Sequence, residues 1–265
     1  MVKFRITLLC AILALTSTYS GAWSRQGHKI VVGIAQRHLT ERAKSNISAI
    51  MAYDMKEDAG WMDSHRKDSV FNHAGLLHTF AVDSSFNYDP NARIRKGDIY
   101  KGLFIADYNL RRLNSLSDSL KLLSLRMIIH FVGDLNCPVH SAAPGYVMAG
   151  DWYFNGRNLT NFHRIYDQMP NVLFKGRSAD EAAALLDRGI SKKQIIEWTS
   201  GSFTDWMSAS AHAARLIYDI NPVSPEHGDK ILAPDTYERS QKLIEERLLA
   251  AGYQLAMLLN LYFDR

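Results

Sequence analysis

Apolar positions recur at helical spacing along most of this chain. In residues 28–39 (HKIVVGIAQRHL), Ile30, Val31, Ile34, Ala35 and Leu39 fall on one face of a helix. Residues 120–132 predict a long, mostly buried helix. Residues 205–217 and 240–263 keep the same rhythm, the latter charged near its start and apolar near its end. Period-two alternation is scarce, with FAVDSSF its best instance. Stretches rich in Gly, Pro, Asn or Asp around 87–96, 142–161 and 221–235 predict loops. None is long or biased enough for an interdomain linker, and no internal repeat is present. The pattern predicts one all-α domain over residues 23–265.

The first 22 residues stand outside that pattern. Lys3 and Arg5 precede the apolar run ITLLCAILAL, and Ser20 and Ala22 occupy the −3 and −1 positions of a cut before Trp23. This predicts a secretory signal, with an apolar run too short to span a bilayer comfortably. Cys10 could mark a lipoprotein, but its Leu-Leu-Cys context lacks the small residues such a site needs. The mature chain is therefore expected in the periplasm or outside the cell, as a monomer without membrane insertion. Cleavage removes two cations and leaves 29 Lys and Arg against 27 Asp and Glu, a net charge near +2. A protein gripping nucleic acid by lysine and arginine alone would be far more basic. Cys137 is the one cysteine left, so no intramolecular disulfide can form. The core, a metal, or both must hold the fold.

Chemistry concentrates in HFVGDLNCPVH, from His130 to His140. Residues four apart share a helical face, so His130 and Asp134 project together. Pro138 cannot continue that helix, and the turn it forces lets His140 return from another direction. Taken singly, these are a core histidine, a helix-end carboxylate and a loop histidine. Together on an apolar helix they need partners, and they suit zinc, which takes imidazole nitrogen and carboxylate oxygen at about 2 Å. NFHRIYD repeats the spacing with His163 and Asp167, which could also be a surface hydrogen-bonded pair. Cleavage before Trp23 gives WSRQGH, placing a free α-amino group near His28. With an ordinary pKa near 8, that amine is readily held deprotonated by a metal.

WSRQGH, GWMDSHR, HFVGDLNCPVH and NFHRIYD occur in an order and spacing that resembles the secreted single-strand-specific zinc nucleases of moulds and plants. That family also has 3′-nucleotidase activity and is structurally akin to bacterial zinc phospholipase C. TDWMSASAHAARLIY and AGYQLAMLLNLYF extend the likeness over the whole mature chain. The resemblance implies an all-α fold around three zinc ions. Trp23, through its amine and backbone oxygen, would hold one zinc with His28. Asp134 would bridge it to a second, held also by Asp63, His78 and His130. His140, His163 and Asp167 would hold the third. His73 competes with His78, which is preferred because an apolar pair precedes it. Asp63 would face the attacking water and Arg66 the phosphate.

The implied reaction is hydrolysis of single-stranded DNA or RNA, or of a 3′-nucleotide, by a hydroxide bridging the two zincs that share Asp134. The zincs would supply the positive charge the composition lacks. One departure stands out. The family's Gly-Gly-Asn element is replaced by GDWYFNGRNLTNFH, where Trp152, Tyr153 and Phe154 could stack on a base or anchor a loop. The same ligands would serve a phospholipase C, or a secreted zinc-binding protein without catalysis. His38, His65, His212 and His227 read as surface, capping or packing residues, and Trp198 and Trp206 as core.

Overall fold

The computed structural model describes residues 23–66, 68, 78–91, 98–144, 152–154, 157–159, 162–221, 232–233 and 235–265, the two short stretches at 152–154 and 157–159 by backbone alone. Its helices in chain order are α1 (Arg25–Arg37), α2 (Glu41–Ile50), α3 (Trp61–His65), α4 (Ile99–Leu110), α5 (Asp118–Leu135), α6 (Phe162–Asp167), α7 (Met169–Leu173), α8 (Ala179–Leu186), α9 (Lys192–Thr199), α10 (Phe203–Ile220) and α11 (Thr236–Phe263). The fold is all-α. No helix among the described residues is long and apolar enough to cross a membrane.

Local chemistry sets where helices begin. The Ser24 hydroxyl accepts from the Gly27 amide to start α1, and Ser117 does the same for α5 with Leu120. Capping boxes pair Ser178 with Glu181, Ser191 with Gln194 and Ser202 with Asp205 at α8, α9 and α10. These caps lie upstream of the first periodic apolar residue. Periodicity alone therefore starts α1, α5 and α10 a few residues late.

The core is one continuous cluster in which α11 runs against α1 and α5, and α4 lies along α5. Close crossings come from missing side chains: a Cβ on Gly252 would sit 2.4 Å from Ile34, and one on Gly102 2.7 Å from Phe131. Trp198 and Trp206 are buried in this core. His38 meets Asp187 at 2.9 Å, His65 stacks on Trp61, and His212 lies 3.2 Å from Asn87. His227 lies outside the described residues.

The segment 142–161 departs from the loop expected there. It holds an antiparallel pair of short strands, Trp152–Phe154 and Arg157–Leu159, with Asn155-Gly156 between them in the sequence. Asn-Gly between short apolar runs is a hairpin signal that composition alone reads as loop. Likewise FAVDSSF yields a strand of two residues, Phe80–Ala81, paired in parallel with Ser141–Ala142. These four strands are β1 (Phe80–Ala81), β2 (Ser141–Ala142), β3 (Trp152–Phe154) and β4 (Arg157–Leu159).

Candidate metal centre

The predicted ligands come from helix starts, helix ends and the short β1–β2 ladder. His28 sits one turn into α1. Asp63 is in the single turn of helix α3, and Arg66 follows at its C-cap. His130 and Asp134 share one face of α5, and Pro138–His140 form a 3-10 turn that brings His140 back. The parallel pairing of Phe80 with Ser141 then fixes His78 beside His140. The His140 Nδ1–H donates to the His78 carbonyl at 2.5 Å.

Both oxygens of Asp134 are engaged, on opposite sides. Oδ1 lies 3.2 Å from His28 Nε2, whereas Oδ2 lies 2.6 Å from His78 Nδ1 and 3.1 Å from His130 Nε2. The His28 and His130 rings stack with centroids 4.2 Å apart. Asp63 Oδ1 approaches His78 Nδ1 at 3.8 Å and His130 Nε2 at 3.9 Å. Its side chain is 26% exposed, against 0% for Asp134, so it forms the open edge of the group. His73 lies outside the described residues.

A second focus lies at Asp167. Its Oδ2 is 3.2 Å from His163 Nε2 on the same face of α6, and its Oδ1 is 3.7 Å from His140 Nε2. The His140 and His163 rings stack at 4.9 Å. The Cys137 thiol touches Asp167 Oδ1 at 3.5 Å, so sulfur joins this group. Sequence reasoning used Cys137 only in counting disulfides; its place just before Pro138, in the turn between two ligands, was the signal available. The Ser24 amide donates to the Asp167 carbonyl at 2.7 Å, which ties the chain beside Trp23 to this focus. Trp23 itself is fully buried.

Unpaired buried atoms at this group fit the needs of a metal ion. His28 Nδ1 and Nε2, Asp63 Oδ1, His78 Nε2, Asp134 Oδ1 and His140 Nε2 are all buried without a hydrogen-bond partner. His28 Nε2 and Asp134 Oδ1 are close yet lack hydrogen-bond geometry. Two ligands at about 2 Å from one tetrahedral ion lie roughly 3.3 Å apart, which suits that 3.2 Å spacing. His130 Nδ1 donates to the Ala59 carbonyl at 2.8 Å. That bond, like the one from His140 to His78, leaves Nε2 as the lone pair facing inward.

The charges demand a cation. Burial opposes ionising Asp134, but the imidazoles of His130 and His78 hold its carboxyl well below the usual range. Burial likewise opposes a charged His130, yet Asp134 and Asp63 push it up to about 9. Burial wins at His28, whose pKa is lowered. The two stacked imidazoles beside these carboxylates are thus pushed in opposite directions, His28 down and His130 up.

A clamp that the sequence did not reveal steadies α3. Arg126, one turn before His130, donates to Asp58 at 2.6 Å and lies over the Trp61 ring at 4.5 Å. Tyr53 closes the network at 2.5 Å from Asp58, and His65 stacks on Trp61 at 3.8 Å. The side chains of Trp152, Tyr153 and Phe154 lie outside the described structure.

A family model for S1/P1 Nuclease matches residues 23–264. Among similar proteins are nuclease P1 of Penicillium citrinum, 26% identical over 90% of this chain and 97% of that protein, and nuclease S1 of Aspergillus oryzae, 24% identical over 97% and 96%. Endonuclease 2 of Arabidopsis thaliana is 23% identical over 91% of this chain and 90% of its own. From the first buried tryptophan almost to the last residue, the chain is a member of the S1/P1 nuclease family.

Proposed function

We propose that this protein is a zinc-dependent phosphodiesterase. It hydrolyses single-stranded DNA and RNA to 5′-phosphorylated nucleotides, and dephosphorylates 3′-nucleotides, after export and loss of residues 1–22. The observation that carries the reading is the convergence of buried imidazoles on both oxygens of Asp134, with His28 Nε2, Asp134 Oδ1 and Asp63 Oδ1 left without a hydrogen-bond partner. Imidazole with carboxylate is a donor set that zinc accepts. The Trp23 amine and carbonyl, with His28 and Asp134, would hold one ion; Asp63, His78, His130 and Asp134 a second; His140, His163 and Asp167 a third. Bound there, zinc supplies Lewis acidity that offsets phosphate charge and brings the pKa of water toward 7.

The side chains divide the remaining work. Asp63, at the open edge, orients the attacking water and takes its proton. Arg66, three residues on, offers its planar fork to the non-bridging phosphate oxygens. Asp134 stays ionised and presents one oxygen to His28 and the other to His78 and His130. The backbone carbonyls of Ala59 and His78 hold His130 and His140 in the tautomer with Nε2 inward. Recessed carboxylates also favour a flexible strand, because a stiff duplex cannot lower one phosphate among them.

The relatives' names, nuclease P1, nuclease S1 and Endonuclease 2, support nucleic acid over a phospholipid headgroup. The test is elemental analysis of processed protein alongside a variant with one extra residue before Trp23. Both are assayed on single-stranded DNA and on phosphatidylcholine. About three zinc ions per chain and DNA cleavage are expected from the first, and a metal deficit with lost cleavage from the second. Equal metal and activity in both would remove the Trp23 amine from the site, and phosphocholine release without nucleotide release would replace the nuclease reading.

A further inference from the structure

Helix α4 turns an aromatic face to solvent. Tyr100, Phe104 and Tyr108 follow at intervals of four and so stack along one side, while Ile99, Leu103, Ala106 and Leu110 bury the other. Phe104 is 54% and Tyr108 50% exposed. Neighbouring rings stand 6.4 Å apart at each step and lie within 28° and 31° of parallel. One turn on, the Arg112 guanidinium caps the row, 3.8 Å from the Tyr108 centroid.

Further rings lead from this row toward the strand that follows His78. Tyr100 meets Tyr88 at 5.8 Å, and Tyr88 meets Phe80 at 6.4 Å. Phe80 lies two residues after His78, in the strand paired to the one after His140. An aromatic series therefore runs from the buried Phe80 through Tyr88 and Tyr100 to Tyr108, which is 50% exposed under a cation.

Tyr100 packs in part against the core, but Phe104 and Tyr108 leave half their surface in solvent, and such neighbouring exposed rings under a cation mark an interaction surface. The spacing indicates the ligand. A step of 6.4 Å is close to twice the ~3.4 Å rise per nucleotide of a stacked strand, so successive π-faces are set at a base-compatible interval. Stacking of bases on such rings is sequence-tolerant, and an arginine over the last ring adds a site for a phosphate or a further base. A lipid surface would instead want a continuous apolar face of Trp, Phe and Leu opposite a face rich in Lys and Arg.

We propose that Tyr100, Phe104, Tyr108 and Arg112 form a second contact for single-stranded nucleic acid. They hold the part of a strand that lies several nucleotides from the reacting phosphate. This rests on the nuclease reading for the identity of the strand. The contact makes the protein favour long single strands over dinucleotides through binding, with no change in the chemical step.

The test compares the wild type with Phe104→Leu/Tyr108→Leu, which keeps an apolar helix face but removes the π-surfaces, and with Phe104→Trp, which enlarges one. KM and kcat are measured on a dinucleotide and on oligo(dT) of about twenty nucleotides. The double leucine variant is expected to raise KM for the long substrate roughly tenfold, leaving kcat and all dinucleotide constants unchanged, while Phe104→Trp retains wild-type KM. Binding of the long strand is expected to fall with salt only as for one or two phosphate contacts. Unchanged KM on oligo(dT) in the double variant, with wild-type cleavage intact, overturns the proposal and leaves the nuclease reading standing. Photo-crosslinking of a halogenated oligo(dT) provides a readout independent of cleavage. Adducts at Phe104 or Tyr108 in a wild type that cuts no nucleic acid would uphold the contact and remove the nuclease reading. Adducts elsewhere only would overturn the contact.

Discussion

At Asp134 one carboxylate meets imidazoles on both oxygens, with no solvent to share the charge. Asp134→Asn keeps the shape but removes the charge and one acceptor oxygen. It is expected to lower bound zinc and to cut hydrolysis by about a hundredfold, a loss typical of changes around a metal's ligands, as read by elemental analysis and single-strand cleavage. Gly133 gives a more discriminating probe. Gly to Ala inside a helix normally stabilises by about 1 kcal/mol, but here a Cβ would stand 2.7 Å from His28 Nδ1. Gly133→Ala should therefore displace His28, losing metal and activity while the helical circular dichroism is retained. At this scale, helical spacing made the His130–Asp134 and His163–Asp167 pairs legible in the sequence. Arg126 with Asp58, 68 positions apart, and the Cys137–Asp167 contact were not, because no local period records a tertiary encounter.

Among elements, α3 is the shortest to carry a candidate catalytic side chain, and a helix of five residues is not stable on its own. Its position depends on the Arg126–Asp58–Tyr53 network and on Trp61. Arg126→Leu leaves Asp58 largely buried without its cation and should cost on the order of 2–4 kcal/mol, seen as a lower Tm. If Arg126 positions α3, kcat will fall more than KM rises, and Arg126→Lys will restore stability better than turnover. A second tie joins α1, α8 and α11 through Asp187, which accepts from Arg37 at 2.7 Å and Tyr253 at 2.6 Å and meets His38 at 2.9 Å. Burial works against ionising Asp187, but these partners hold its pKa below the usual carboxylate value. The tie is therefore fully present above the ordinary carboxylate range and fades as pH falls through the lowered value. The Tm gap between wild type and Asp187→Asn should be widest near neutrality and close in acid. Existence and type of the long helices were legible from periodicity. The starts of α1, α5 and α10 depended on serine caps, and β3–β4 pair inside a stretch that composition reads as loop.

For the whole molecule, a helical core with no disulfide surrounds a nucleus of unpaired polar atoms. Such a nucleus is costly unless filled, so metal occupancy should contribute to global stability by mass action. Chelation is expected to lower Tm by several degrees and zinc to restore it. Asp134→Asn should show a smaller response, as measured by thermal unfolding with and without a chelator. The all-α architecture was legible because one period dominates the chain. The meeting of residues 23–28, 63, 78, 130–140 and 163–167 at one place was legible only through family resemblance, since it is a property of topology.

The ladder between β1 and β2 spans only two residue pairs, yet it fastens the chain behind His78 to the chain behind His140, and one imidazole is hydrogen-bonded to the peptide of the other. The two foci are thus neighbours on a shared piece of backbone. A shift of His78 on vacating the Asp134 focus drags His140 with it, so the ions should leave together rather than singly. Titrating a chelator into the loaded protein would then yield mostly full and empty molecules at intermediate points, a distribution that native mass spectrometry can count.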